Sequence, residues 1–233
     1  ISVDGVRLSR ITAGGTGSRR FEFIFSGPGG HSFGAFGLPS AIHAMGRAIA
    51  YIAELQTPRF PRTTFTVGTV TGGTSVNSIA ADAAFAIDMR SNNSESLAIF
   101  ERQAKQAALT AVLEENSRWD SDAISVNFRL IGDRPVGSTS VESPIVQVAA
   151  GAYAKLGVDI GGITISSTDS NVPMALGIPA ITISGGGDGG GAHSPAEWFK
   201  PVNSYLGPQA VLINILTLVG ISGVSTPVLT DDF

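Results

Sequence analysis

The chain has 233 residues, 43% apolar and 15% charged, with a net charge of −4, a pI near 5.3 and a mean hydropathy of +0.24. That composition belongs to a folded protein of one large or two small domains, and the acidic balance, with no basic cluster longer than Arg19-Arg20, argues against a nucleic-acid surface. With no cysteine there is neither a disulfide framework nor a thiolate zinc site, and no apolar run reaches the roughly 18 residues of a membrane span.

Residues 1–17 read as a short strand followed by a glycine linker, Ala13-Gly14-Gly15-Thr16-Gly17. The opening Ile1-Ser2-Val3-Asp4-Gly5-Val6 lacks the basic and apolar regions of a signal peptide and begins in a strand-like pattern without Met. The expectation is a cytoplasmic protein whose true N-terminus lies upstream.

From residue 18 to 133 the pattern predicts strand, helix, strand, strand, helix, strand. Residues 20–26 alternate; residues 40–55 carry Ala41, Met45, Ala48, Ile49 and Ile52 at helical spacing, with Pro58 beyond the end. Residues 63–70 and 80–90 read as strands separated by Gly72-Gly73-Thr74-Ser75. Ser94 is placed to cap a helix to residue 114 with a small-residue face of Ala104, Ala107, Ala108 and Ala111, and residues 124–130 alternate as a last strand. A βαββαβ order is the ferredoxin-like arrangement, one sheet face covered by two helices.

After Pro135 the order becomes helix (143–156), strand (160–166), short helix (172–176), strand (180–184), loop and helix (202–219). Pro179-Ala180-Ile181-Thr182-Ile183 is a continuous apolar run, as expected of a strand buried on both faces. Such alternation predicts a parallel or mixed sheet packed by helices, and two strong strands look like half of one.

Three stretches carry candidate chemistry. Gly27-Pro28-Gly29-Gly30-His31-Ser32-Phe33-Gly34 breaks a strand on glycines and presents a histidine, either as a site or as an ordinary strand-to-helix loop. Gly185 to Gly191 leads to His193-Ser194-Pro195-Ala196-Glu197-Trp198 at the end of the buried strand, where open α/β sheets hold ligands. If Pro195 opens a helical turn, Glu197 orients the imidazole of His193 as a metal ligand. The alternatives are a phosphate-cradling loop, for which no Lys follows, and a flexible glycine loop with a capping histidine. In Ser167-Thr168-Asp169-Ser170-Asn171, Asp169 or Asn171 reads as an N-cap that also lines the crevice. Asn77 and Arg90 complete the polar set, Arg90 being either a solvated edge charge or a fork for a substrate carboxylate; His43, inside the first helix, reads as structural.

Taken in order, Gly-Gly-His31-Ser, Gly72-Gly73-Thr-Ser-Val-Asn77-Ser-Ile, Asp88-Met-Arg90-Ser, Ser167-Thr-Asp169-Ser-Asn171 and Gly-Gly-Ala-His193-Ser-Pro-Ala-Glu197-Trp198 resemble the M20 family of zinc peptidases, which includes di- and tripeptidases, glutamate carboxypeptidase and aminoacylases. The resemblance runs from about residue 18 to about residue 219. It implies a ferredoxin-like lid, also called the dimerisation domain, over residues 18–133. Residues 1–17 become a strand and linker of the catalytic domain, and 134–233 the C-terminal half of that α/β zinc-peptidase domain. It further implies His193 as a zinc ligand, and His31 as the histidine that stabilises the oxyanion in a partner subunit's site. Asn77 and Arg90 would hold the substrate carboxylate, and the backbone of Gly186 and Gly187 would contact substrate.

The family's first catalytic half, with H-x-D, a bridging Asp and a Glu-Glu pair, has no counterpart before residue 18, where Asp4 is the one His, Asp or Glu. A catalytic zinc needs about three protein ligands and a general base. The chain is therefore expected to be the C-terminal part of a homodimeric, two-zinc hydrolase of small peptides or acyl-amino acids, inactive alone. The alternatives are a non-catalytic association module and an amidohydrolase acting on N-carbamoyl or N-acyl groups.

Overall fold

The computed structural model describes residues 1–229. Strands β1 (Ser2–Val3) and β2 (Ile11–Gly15) open the chain and belong to a unit made of residues 1–16 and 135–229; Gly17–Arg134 forms a second unit.

In Gly17–Arg134 the alternation of Phe21, Phe23 and Phe25 with polar residues gives β3 (Gly17–Ser26), one face buried. After the short β4 (Gly30–His31) come α1 (Ala41–Ala53), β5 (Thr63–Gly72), the short β6 (Ser78–Ile79), β7 (Asp82–Ser91), α2 (Ser94–Arg118) and β8 (Ser125–Arg134). The sheet order β5-β7-β3-β8 is antiparallel throughout, the ferredoxin-like arrangement expected. Phe23, Phe25, Phe85, Ile87 and Met89 face the helices and are fully or nearly fully buried. On α2 the alanines at 104, 108 and 111 let that helix lie close, and Met45, Ala48 and Ile52 do the same work on α1.

Two local expectations change. Asn93, not Ser94, caps α2, its Oδ1 accepting the Ser96 N–H at 2.8 Å, because Asn92-Asn93-Ser94 offers several good caps and geometry selects one. The last strand runs to Arg134, with a register shift at Arg20/Phe21 that leaves Ile131 as the extra residue of a bulge.

The other unit continues with β9 (Gly137–Ser138), α3 (Pro144–Lys155), β10 (Ile163–Ser166), α4 (Asn171–Ala175), β11 (Thr182–Ile183), β12 (Asp188–Gly190), β13 (Trp198–Lys200) and α5 (Leu206–Val219). Its sheet, β1-β11-β2-β10 with β9 also on β2, is mixed: β1 with β11 and β2 with β10 are parallel, β2 with β11 antiparallel. Ile11, Ala13, Ile181 and Ile183 pack on Ile145, Val146, Ala149 and Tyr153 of α3 and on Ala210 and Leu218 of α5. On the opposite face hydroxyls bond one another, Thr12 with Thr164 at 3.0 Å and Thr182 with Thr168 at 2.8 Å. Among the described residues, no helix is long and apolar enough to cross a membrane.

Candidate functional site

His31 and Asn77 meet at one end of the ferredoxin-like sheet. The β4–β6 ladder pairs His31 with Ser78, and the Ser32 N–H donates to the Asn77 carbonyl at 3.0 Å. Around His31 the chain turns so that the Phe33 and Gly34 N–H groups both donate to its Nδ1, at 3.3 and 3.2 Å. An Nδ1 that accepts carries no proton, so the neutral ring holds its proton on Nε2 and presents it as a donor from an exposed position. Asn77 is held by a Ser75 hydroxyl donating to its Oδ1 at 2.6 Å, and its amide nitrogen stays available to a ligand. At Gly72 a Cβ would run into the backbone of Ala83, and φ is +149°, so the turn carrying Asn77 needs glycine there.

Arg90 lies at the other end of the same sheet. It sits on β7 opposite Ser18 and Thr64, eight residues from Asp82, which pairs with Ser26 at the end of β3 that leads into the His31 loop. Eight residues of strand span about 26 Å at roughly 3.3 Å each. Arg90 Nε donates to Asp88 Oδ2 at 2.7 Å, and Arg20 Nε donates to the other oxygen at 2.8 Å. Asp88 is pushed up by burial, but the hydrogen bonds from Arg90 and Arg20 outweigh this and hold it below its ordinary 3.8. A carboxyl lowered on folding stabilises the fold above its unfolded value and loses that contribution as pH falls through the folded value. Urea unfolding measured on either side of pH 3.8 should therefore show an acid-side loss of stability that Asp88→Asn removes. An unchanged acid slope in the variant would mean the two arginines do not hold the carboxylate.

In the other unit the glycine loop is not open. Gly185 N–H donates to the Gly5 carbonyl at 3.0 Å, Arg7 N–H to Gly187 at 3.1 Å, and Gly189 N–H to Asp188 Oδ1 at 2.8 Å. Arg7 Nε pairs with Asp188 at 2.5 Å, a hydrogen bond that holds the Asp188 carboxyl below its ordinary value. Gly186 and Gly187 both take positive φ, +89° and +75°.

Pro195 does not open a helix. Residues 192–196 are the turn of a hairpin in which β12 pairs with β13, because Trp198-Phe199 favours an extended strand and Ser194 closes the turn with its own hydrogen bonds to Gly191. Glu197 consequently accepts from the His193 backbone N–H, at 3.4 Å, and not from its ring, which corrects the expected carboxylate–imidazole contact. His193 takes φ +64°, a left-handed conformation rare for a side chain with a Cβ. His193 and Glu197 line a cavity of about 530 Å³ with Asp4, Val6, Trp198 and Phe199.

Asn171 has a place that sequence reasoning missed. It is fully buried, and its amide donates to the carbonyls of Thr16 and Pro135, both at 2.9 Å, while its Oδ1 accepts the Thr168 N–H. It is the first residue of α4 and no cap; the signal was a polar residue after a strand end, which a cap explains equally well. Among the described residues no group of three His, Cys, Asp or Glu side chains is placed to hold a metal ion.

Residues 14–116 match the family described as the peptidase dimerisation domain, M20_dimer. No curated protein matches the sequence. Among solved structures it is similar to a tripeptidase from Staphylococcus aureus (19% identity, 91% of this chain and 55% of that one, TM-score 0.73). It is also similar to the aminopeptidase PepT from Bacillus cereus (21%, 91% and 55%, 0.69) and to an amidase of the hydantoinase/carbamoylase family from Burkholderia vietnamiensis (17%, 88% and 49%, 0.69). These likenesses show the fold, and the chain spans about half the length of each.

Proposed function

We propose that this chain supplies the lid and the C-terminal part of the catalytic domain of an M20-type hydrolase that cleaves an amide bond in small peptides or acyl-amino acids, working as a cytoplasmic homodimer. The observation that carries the reading is the separation of His31 and Asn77 from Arg90 along one sheet. A dipeptide-sized substrate cannot reach both ends of a strand about 26 Å long. The two groups serve one substrate only when they come from two copies, and a two-fold pair of lids provides that exchange.

In this reading the Nε2–H of His31 donates to the oxygen that gains negative charge as the amide carbonyl is attacked. Asn77, arriving with His31, offers its amide to the substrate carboxylate. Arg90 of the other copy meets that carboxylate with the terminal guanidinium nitrogens left over from its bond to Asp88. Gly186 and Gly187 line the substrate with backbone, and His193 serves as one ligand of a two-zinc centre. The described residues do not by themselves fit a catalytic zinc, which takes about three protein ligands, and no step of this reading runs through the metal.

The 233-residue chain alone, given zinc, is expected to hydrolyse neither dipeptides and tripeptides nor N-acyl and N-carbamoyl amino acids, and to sediment as a dimer. Turnover of any of these by the chain alone would overturn the assignment of the other ligands to residues outside it. A monomer at micromolar concentration would remove the two-copy site. In the complete enzyme the same substrate panel separates peptidase from carbamoylase.

A further inference from the structure

The residues given roles above leave unexplained the one charged side chain that is fully buried among the described residues, Glu115 of α2. Its Oε1 accepts the Ser40 N–H at 3.1 Å and the Trp119 Nε1–H at 3.2 Å, and lies 3.5 Å from His43 Nδ1. Its Oε2 accepts from Arg47 at 3.3 Å. Burying a carboxylate is costly even when it is paired, and an apolar side chain of similar size would satisfy a helix-packing role at least as well. The donors point to a different role.

Ser40 ends the loop of residues 27–40 that carries His31, and Trp119 meets Phe36 of the same loop edge-on, ring centres 5.4 Å apart at 83°. That loop contains glycine at 27, 29, 30, 34 and 37, so its own sequence gives it little stiffness. Its outgoing limb is tied by backbone bonds, Gly27 N–H to Ala81 at 2.7 Å and Ser32 N–H to Asn77 at 3.0 Å. The returning limb, which brings Phe33 and Gly34 onto the His31 ring, is held at Phe36 and Ser40, and both holds lead to Glu115.

We infer that Glu115 is a positioning residue for His31: through Ser40 and through Trp119 against Phe36 it sets the returning limb, whose two N–H groups fix the His31 tautomer. Its importance for turnover rests on the reading of His31 given above; the positioning itself does not.

The test uses the full chain with ¹⁵N-labelled histidine in four forms: unsubstituted, Glu115→Gln, Glu115→Ala and Phe36→Ala. Unsubstituted protein should show His31 as the Nε2–H tautomer. Glu115→Gln keeps an oxygen for Ser40 and Trp119 and should keep that tautomer. Glu115→Ala should give a mixture of tautomers and speed hydrogen exchange at Ser40, Phe33 and Gly34 about tenfold or more, the loss expected for a hydrogen bond to a charged group. The amides of β3 and β7 should keep their protection. Phe36→Ala, which leaves the buried charge in place, should loosen the same loop even if Glu115→Ala fails to fold.

An unchanged His31 tautomer and unchanged loop exchange in Glu115→Ala and Phe36→Ala would overturn the inference. So would a loss of protection spread evenly over the sheet, the mark of a purely structural role. None of these readouts needs a working active site. If the loop responds as expected while His31→Ala leaves hydrolysis by the complete enzyme intact, the catalytic reading of His31 fails and the positioning role of Glu115 stands.

Discussion

Mixing His31→Ala subunits with Arg90→Ala subunits of the complete enzyme should restore about a quarter of the activity that each variant lacks alone, as expected for a two-fold dimer. Under the function proposed above, His31→Ala removes a donor to the developing oxyanion and is expected to lower kcat about 10²–10³-fold, the usual loss for such a group. Under the same proposal, Arg90→Ala removes the cationic end of the carboxylate clasp and should act chiefly on KM. The two residues lie at opposite ends of one sheet, so each complete site would draw His31 from one chain and Arg90 from the other. In a mixed dimer one site then lacks both groups and the other has both. Random pairing makes about half of all dimers mixed, with half of their sites intact, hence about a quarter overall. Activity no higher than that of the separate variants would place both groups in sites built from one chain and end the two-copy reading.

Phe85→Ala should destabilise the ferredoxin-like unit by about 3–5 kcal/mol, the range for removing a fully buried phenylalanine. Phe85 is inaccessible to solvent on central strand β7, with ring centres of Phe23 at 4.8 Å and Phe25 at 6.0 Å. Its removal leaves a cavity floored by two other rings and roofed by helices, which the sheet cannot close because its ladder fixes the strand spacing. A loss of that size is a large part of the 5–15 kcal/mol that holds a typical domain together. Val76→Ala, at a fully exposed loop tip, is expected to change stability by less than about 0.5 kcal/mol. Urea unfolding of both variants gives the comparison, and a loss under about 1 kcal/mol for Phe85→Ala would show that the core collapses around the gap.

The strands and helices of residues 17–134 were legible because a half-buried sheet and amphipathic helices write their periods directly into the chain: phenylalanine at every second position in β3, and alanine and methionine at helical spacing in α1. The hairpin at residues 188–200 was not legible. A histidine and a glutamate four apart read equally well as a helical turn, and only the pairing of Trp198 with Gly190 decides for strand. Similarly, Asn171 looks like a cap in sequence, while its actual partners, Thr16 and Pro135, are 155 and 36 residues away.

By itself the sequence determined the secondary structure of the ferredoxin-like unit, the glycine-bounded histidine turns and the order of motifs that resembles the M20 peptidases, because these depend on local period and local backbone freedom. Only the tertiary structure decided which of those residues meet. Strand register put His31 beside Asn77 and carried Arg90 to the far end of the sheet. Packing of α2 against α1 buried Glu115 beneath the loop that carries His31. Contacts of this kind join residues far apart in the chain, and the spacing of residue types along a sequence holds no record of them.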